Sequence, residues 1–519
     1  VTAPLLAEAC EWARGLRLDQ VPEDVRRLGL AQIDSALGAM GSGLAHPVGA
    51  RIRAAAATRP GWSGAPARSN AGEAGWIEAA ATAATASMAL DYDETLFAGH
   101  TGHSCALVPL ACAGLLQLGG SSWPSHPEPG GGREDPAVEA QELGRRQAER
   151  DRALLASIAA TEVAARITAA LTLGRARGQT AAHTHLAGTA IAAGLMLGLD
   201  AERLLDALTL ALAQPVRVLY PAFMGSDAKL AVAAGPIRLA GTAVLAAAAG
   251  MRGPRDVLER PGGLLEELAE VPLPEALGGL PQAAAGAETA ALGERWHLRT
   301  LSVKAVPGCA YLSAAVDAAI ELAAAGIEAG AVEEVVVEAS IFTLRMEAEA
   351  APFVRGPQSP LAALNFSAGY SVATALLTGD LRAEDFWGAP LRRQERWELA
   401  GRVRLAHDPG LTLRALSATA PVGAALAWAG GRGRAYLARG GAGEELADQV
   451  LAACARRAPE HFVRPSKEVG ARVRVRLRDG RELAAERLSA RGACGESVES
   501  RAALASGKRR RRPGSAAPG

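Results

Sequence analysis

The sequence predicts a mainly α-helical protein, with a large all-helical domain followed by a smaller α+β domain. Three observations predict this. Apolar residues recur at the i, i+3, i+4 interval through about residue 270, as on one face of a helix. Beyond the low-complexity stretch Leu280 to Glu294, β-branched and alternating segments appear between helices. The 519 residues also exceed one ordinary core, at roughly 100 to 200 residues per domain. The expected division is 1–290 for the helical domain, 291–495 for the α+β domain and 496–519 for a basic, disordered tail.

In chain order, Val21, Val25, Leu28, Ile33, Leu37 and Met40 mark an amphipathic helix that starts at Pro22 with Glu23 and Asp24 and stops at Gly41. Further helices are predicted at 76–90, 106–116, 153–171, 188–197, 201–213 and 237–249, with Asp200 capping the 201–213 helix. Residues 119–152, which include SSWPSHPEPGGGREDP and a charged run, read as a disordered insertion. In the second half, helices are expected at 310–324 and 367–378. VEEVVVEA at 332–339 is strand-like, and 471–488 reads as two strands joined by an Asp479-Gly480 turn. The KRRRR run at 508–512 reads as a solvated tail.

Hydrophobic residues make up 49% of the chain, aromatics 4%, and the formal net charge is zero. This excludes a general electrostatic footprint for nucleic acid, so a small anionic substrate needs a local cationic pocket. The six cysteines contain no C-x-x-C pair, which argues against a zinc ribbon or a disulfide framework and for the reduced cytoplasm. No apolar run reaches the roughly 18 residues of a membrane span.

Polar chemistry is concentrated in DYDETLFAGHTGH, from Asp91 to His103. It places Asp91, Asp93, Glu94, Thr95, His100 and His103 around Gly99 and Gly102, as expected where protons are moved or an ion is held. A polar helix end followed by a loop would carry the same residues. Three more segments qualify. QTAAHTH puts His183 and His185 ahead of a helix N-terminus, where backbone donors meet anions. In GSDAK, Lys229 sits either in a first helical turn, next to a bound carboxylate, or in a loop before a helix beginning at Pro236. KAVPGC brings Lys304 and Cys309 to the domain junction, where small-molecule sites are common.

Together with ALVPLACA, EVAARI and GLDAERLLDALTLALA, these segments resemble, in order and spacing, the successive blocks of the 2-methylcitrate dehydratase and cis-aconitate decarboxylase family, MmgE/PrpD. The resemblance runs from about Leu5 to about residue 400. It implies a cofactor-free lyase or isomerase for small polycarboxylates, usually a homodimer, with no metal and a site between the helical domain and the α+β domain, which forms a lid. It also implies that Asp91 and Thr95 match the family's aspartate and threonine, His100 or His103 its histidine, and Lys229 and Lys304 its two lysines. His183 and His185 compete for a helical-domain histidine. Cys309 stands where cis-aconitate decarboxylases carry histidine, and Tyr311 and Leu312 where many members carry another. The family's closing helix is not evident after Cys494. Altered substrate or loss of activity is the expected consequence.

The leading function is therefore a lyase that dehydrates or decarboxylates a small carboxylic acid, with no nucleic-acid or membrane partner. The alternatives are an epimerase using the same proton chemistry, a non-catalytic binding descendant, and a metal-dependent hydrolase using His100-x-x-His103, His183-x-His185 and an aspartate.

Overall fold

The computed structural model describes residues 5–58, 75–96, 99–116, 118, 136–174, 182–216, 218–277, 292–418, 422–439, 443–457 and 464–511. The expected boundary near 280–294 falls largely outside them. Helices dominate, and the first half is a helical body around Ala182–Met196. That helix is apolar on nearly every side, as befits a segment buried all round. Pro136–Ala170, Ala201–Leu212 and Ala231–Ala248 pack against it. Asp200 caps Ala201–Leu212, its Oδ1 accepting from Arg203 N at 2.8 Å.

Several expected boundaries move for identifiable reasons. The first long helix does not stop at Gly41 but runs from Glu23 to Ala45. Its glycines serve packing: a Cβ on Gly43 would lie 1.9 Å from Ala86 O, so only glycine lets this helix touch Gly75–Ser87 backbone to backbone. Pro136–Ala170 begins inside the expected insertion, and only 119–135 of that stretch lie outside the described residues. The charged half holds together through pairs at helical spacing, Arg145 with Glu142 and Glu149, a pattern that apolar periodicity does not register. Pro236 begins no helix; it lies inside Ala231–Ala248.

The second half carries a four-stranded sheet of order β2-β1-β3-β4. Strand β1 (Val332–Ala339) pairs parallel with β2 (Val403–His407) and antiparallel with β3 (Ala471–Leu477), which forms a hairpin with β4 (Glu482–Arg487). Val335, Val337, Val473 and Val475 are fully buried under Ser313–Ala323 and Ala368–Thr378. On the other face Arg472 and Arg474 pair with Glu338, and Arg476 with Glu333. Strand β2 escaped prediction because VRLAH is short and carries one charge in five residues.

The C-terminal boundaries require the largest correction. Residues 422–439 and 443–457 belong to the helical body, to which Tyr436 OH (donating to Gly174 O, 3.3 Å) and Arg432 (donating to Pro272 O, 2.9 Å) tie them. The expected disordered tail is a helix, Val498–Arg510, lying along Glu23–Ala45. Ser497 caps it, Arg501 donates to the carbonyls of Arg299 and Leu301, and Lys508 is 3% exposed. A closing helix is thus present, held by the buried cations Arg501 and Lys508 together with Ala505; residues 512–519 lie outside the described residues.

Two helices, Gln141–Ala170 and Asp227–Ala248, are long and apolar enough to cross a membrane by length and composition, contrary to the expectation from sequence. In the first, 94% of the apolar window is buried within the protein, which is how a core helix passes that test.

Candidate active site

The site is organised by the end of one helix. Gly75–Ser87 stops and the chain turns through residues 88–92, with Asp91 at a φ of 48°, a left-handed conformation that costs a residue with a side chain about 1 kcal/mol. A helix end leaves carbonyls without intrahelical donors and carries negative partial charge. Here each carbonyl of the turn receives a donor from elsewhere. Met88 O accepts from Lys229 Nζ (3.0 Å), Ala89 O from Asn365 Nδ2 (2.9 Å), and Leu90 O from Gly308 N (3.0 Å). Asp91 O accepts from Lys304 Nζ (2.6 Å) and Tyr92 O from Lys508 Nζ (2.6 Å). Leu90 and Tyr92 pack into the core under the sheet, whereas Leu96 packs into the helical body. The turn therefore sits at the junction of the two cores.

Asp91, 6% exposed, lies between two lysines: Lys304 Nζ is 3.1 Å and Lys229 Nζ 3.8 Å from its Oδ1. Burial alone would raise its pKa, but the two ammonium groups hold it below the ordinary range. Burial lowers Lys229, with Asp91 only partly offsetting it. For Lys304 the balance reverses: burial opposes charge, but Asp91 and Asp93 together raise it. Asp93 is the second hub. Its Oδ2 pairs with His100 Nδ1 and lies 3.1 Å from His103 Nε2. Burial would raise this carboxyl, yet His100, His103 and Lys304 hold it well below its usual value.

The two histidines that compete in the sequence differ sharply here. His103 is fully buried, with Ser87 Oγ 2.7 Å from Nδ1 and Asp93 at Nε2. The side chain of His100 is 27% exposed, and with Nδ1 turned to Asp93 its Nε2 makes no hydrogen bond among the described residues. His183 and His185 lie within the first turn of Ala182–Met196, not ahead of it, and both are buried. His185 meets the cluster: its Nδ1 is 3.1 Å from Ser104 Oγ, and its ring centroid is 5.7 Å from that of His103. Burial and the neighbouring imidazoles keep His185 well below its ordinary pKa. His183, two residues earlier, is about 200° round the helix and faces elsewhere.

Thr95 is bonded to the lid side of the junction, exchanging backbone hydrogen bonds with Ser302 (2.9 and 2.7 Å), and its Oγ1 accepts from Lys467 Nζ at 2.7 Å. Cys309 is buried, and burial together with Asp91 pushes its thiol up to about 12. It is a neutral thiol at neutral pH and so not activated as a nucleophile. Asp93, His100 and His103 also bring one candidate metal-ligand atom each within 4.8 Å of one another; His183 and His185 are not part of that cluster.

Sequence reasoning missed Lys467, Lys508, Ser87 and Asn365 as parts of the site. It also passed over Asp93 as its hub. The Asp-x-Asp spacing was the available signal for Asp93. No comparable signal marks the lysines, which stand among basic residues.

A helical body joined to a sheet-bearing domain, with an aspartate–lysine–histidine cluster at their junction, defines a two-domain protein with an interdomain site suited to proton transfer beside anions. The MmgE/PrpD N-terminal domain family matches residues 7–275, and the MmgE/PrpD C-terminal domain family matches residues 306–429. The chain belongs to the MmgE/PrpD family, whose members are typically lyases such as 2-methylcitrate dehydratase and aconitate decarboxylase. A comparison with curated proteins finds no match.

Proposed function

We propose that this protein is a cofactor-independent lyase, a dehydratase or decarboxylase, that removes a proton next to a carboxylate of a small polycarboxylic acid. The observation that carries this reading is the pairing of Asp91, held between Lys229 and Lys304, with the Asp93–His100 pair beside it. In it, Asp93 fixes the tautomer and orientation of His100, and His100 Nε2 takes the proton. His103 and His185, buried behind it, position the cluster. An ammonium has three donors. Lys304 commits two to Asp91 and Lys229 one to Met88 O, leaving donors for carboxylate oxygens whose charge grows as an enolate forms. Thr95 orients the substrate at the junction. Cys309 contributes shape and not charge. A homodimer working in the cytoplasm, without cofactor, nucleic acid or membrane, completes the proposal.

The test is solvent exchange. Incubation of the protein with a panel of small polycarboxylates in deuterated water should place deuterium next to a carboxylate of at least one acid. If acids bind but neither exchange nor turn over, the lyase and the related epimerase both fail and a binding protein remains. The ligand-atom spacing of Asp93, His100 and His103 favours one other reading, the metal-dependent hydrolase. Elemental analysis separates the two: stoichiometric zinc or iron, lost together with activity, would replace the lyase by the hydrolase.

A further inference from the structure

A small cleft of about 30 Å³ is lined by Thr95, Ser302, Lys304, Ser313, Lys467 and Arg491 together with small apolar residues. A buried water needs roughly 10 to 15 Å³ of such space, so the cleft has room for one small group such as a single carboxylate. Three of the lining side chains are cations and no lining residue is acidic. The cations are not equivalent. Lys304 is neutralised by Asp91, and Arg491 Nε by Asp317 Oδ1 at 2.7 Å. Lys467 has the Thr95 hydroxyl at 2.7 Å, and no carboxylate within 4.0 Å of it is found among the described residues. It is the one lining cation whose charge is left for a ligand. Lys467 stands outside both family-matched segments, on the extended run that leads into β3.

We propose that Lys467, with Thr95 and the adjacent end of Lys304, forms a subsite for a second carboxylate of the substrate, remote from the carbon that loses the proton. This rests on the reading of the site as one for a polycarboxylic acid. Chemistry supports the division of labour. Proton abstraction needs cations near the reacting carbon, which Lys229 and Lys304 supply, whereas a remote charge only has to be held. Burial lowers the pKa of Lys467 to about 8, as expected of a cation with no counter-ion beside it. Thr95, accepting from Lys467, keeps its own hydroxyl hydrogen free to donate to the same carboxylate.

Calorimetric titration with tricarballylate and with valerate, which has the same five-carbon chain and a single carboxylate, tests the subsite without requiring turnover. The native protein should bind tricarballylate more tightly. Lys467→Met should weaken tricarballylate by about 10-fold or more while leaving valerate within about 2-fold, and Lys467→Arg should retain most of the difference. Thermal melts of both variants check that they are folded. The proposal is overturned if Lys467→Met leaves tricarballylate unchanged, weakens both acids equally, or if the native protein binds neither. Tricarballylate bound through Lys467, with no acid of the panel exchanging or turning over, would sink the lyase reading and leave the subsite standing.

Discussion

Residues 87–96 and 99–104 form one wall of the junction, and the C-terminal segments carrying Lys467 and Lys508 form the opposite one, yet both serve the same short run of backbone and side chains. The first wall is contiguous: Ser87, Asp91, Asp93, Thr95, His100 and His103 come from one helix end and its loop. The second is assembled from two points more than 370 residues further along, Lys467 on Thr95 and Lys508 on Tyr92 O. The contiguous wall can carry graded proton chemistry, because neighbouring groups tune one another. The assembled wall supplies single cations whose worth depends on burial and on what they face. On the proposed reading, groups that transfer protons are clustered in sequence and the distant lysines that hold charge are not.

If this division is right, the largest effect belongs to the contiguous wall. Asp93→Asn keeps the shape but removes the charge that orients His100, and should slow turnover or exchange about 10²- to 10⁴-fold with KM little changed. Steady-state kinetics alongside circular dichroism would measure it. A loss no greater than that of Lys467→Met would erase the distinction between the walls. Next in size is Lys304→Met, which strips the cation shared by Asp91, Asp93 and the cleft. A fall of about 10²- to 10³-fold in kcat is expected, exceeding that of Lys229→Met, whose ammonium lies further from Asp91. The reverse order would place the developing charge on the Lys229 side.

Much of this was legible and the remainder has physical reasons for being hidden. β1 is readable from its β-branched run, and the β3–β4 hairpin because alternating burial in β3 leaves a period of two in the sequence. The Asp91–His103 loop is readable because polar density is rare in an alanine-rich chain. Helix Val498–Arg510 was misread because two of its three buried residues are Arg501 and Lys508, whose charges find carbonyls instead of water. Periodicity scans count such residues as solvated. The first half of Pro136–Ala170 was hidden in the same way, by ion pairs along a polar surface. The choice between His100 and His103 could not come from spacing, since it depends on which ring reaches solvent.

The smallest expected effect probes the assembled wall through stability alone. Burial drives Lys508 down to about 7, against an ordinary 10.5, with Glu94 and Asp93 only partly opposing this. Between those values the unfolded chain holds the lysine proton more firmly than the folded one, so raising the pH favours folding. Lys508→Met lacks this contribution, and the native protein should gain stability relative to it between pH 7 and about 9, by at most about 1.4 kcal/mol per pH unit for one proton. Glu94 acts in the same direction. Burial and Asp93 already raise its carboxyl, and loss of Lys508 raises it further, costing the variant stability as the pH climbs. Urea unfolding of both proteins across this range measures the difference directly. Parallel stability curves would mean that Lys508 stays charged on Tyr92 O, and the closing helix would then be anchored by an ordinary surface-like cation.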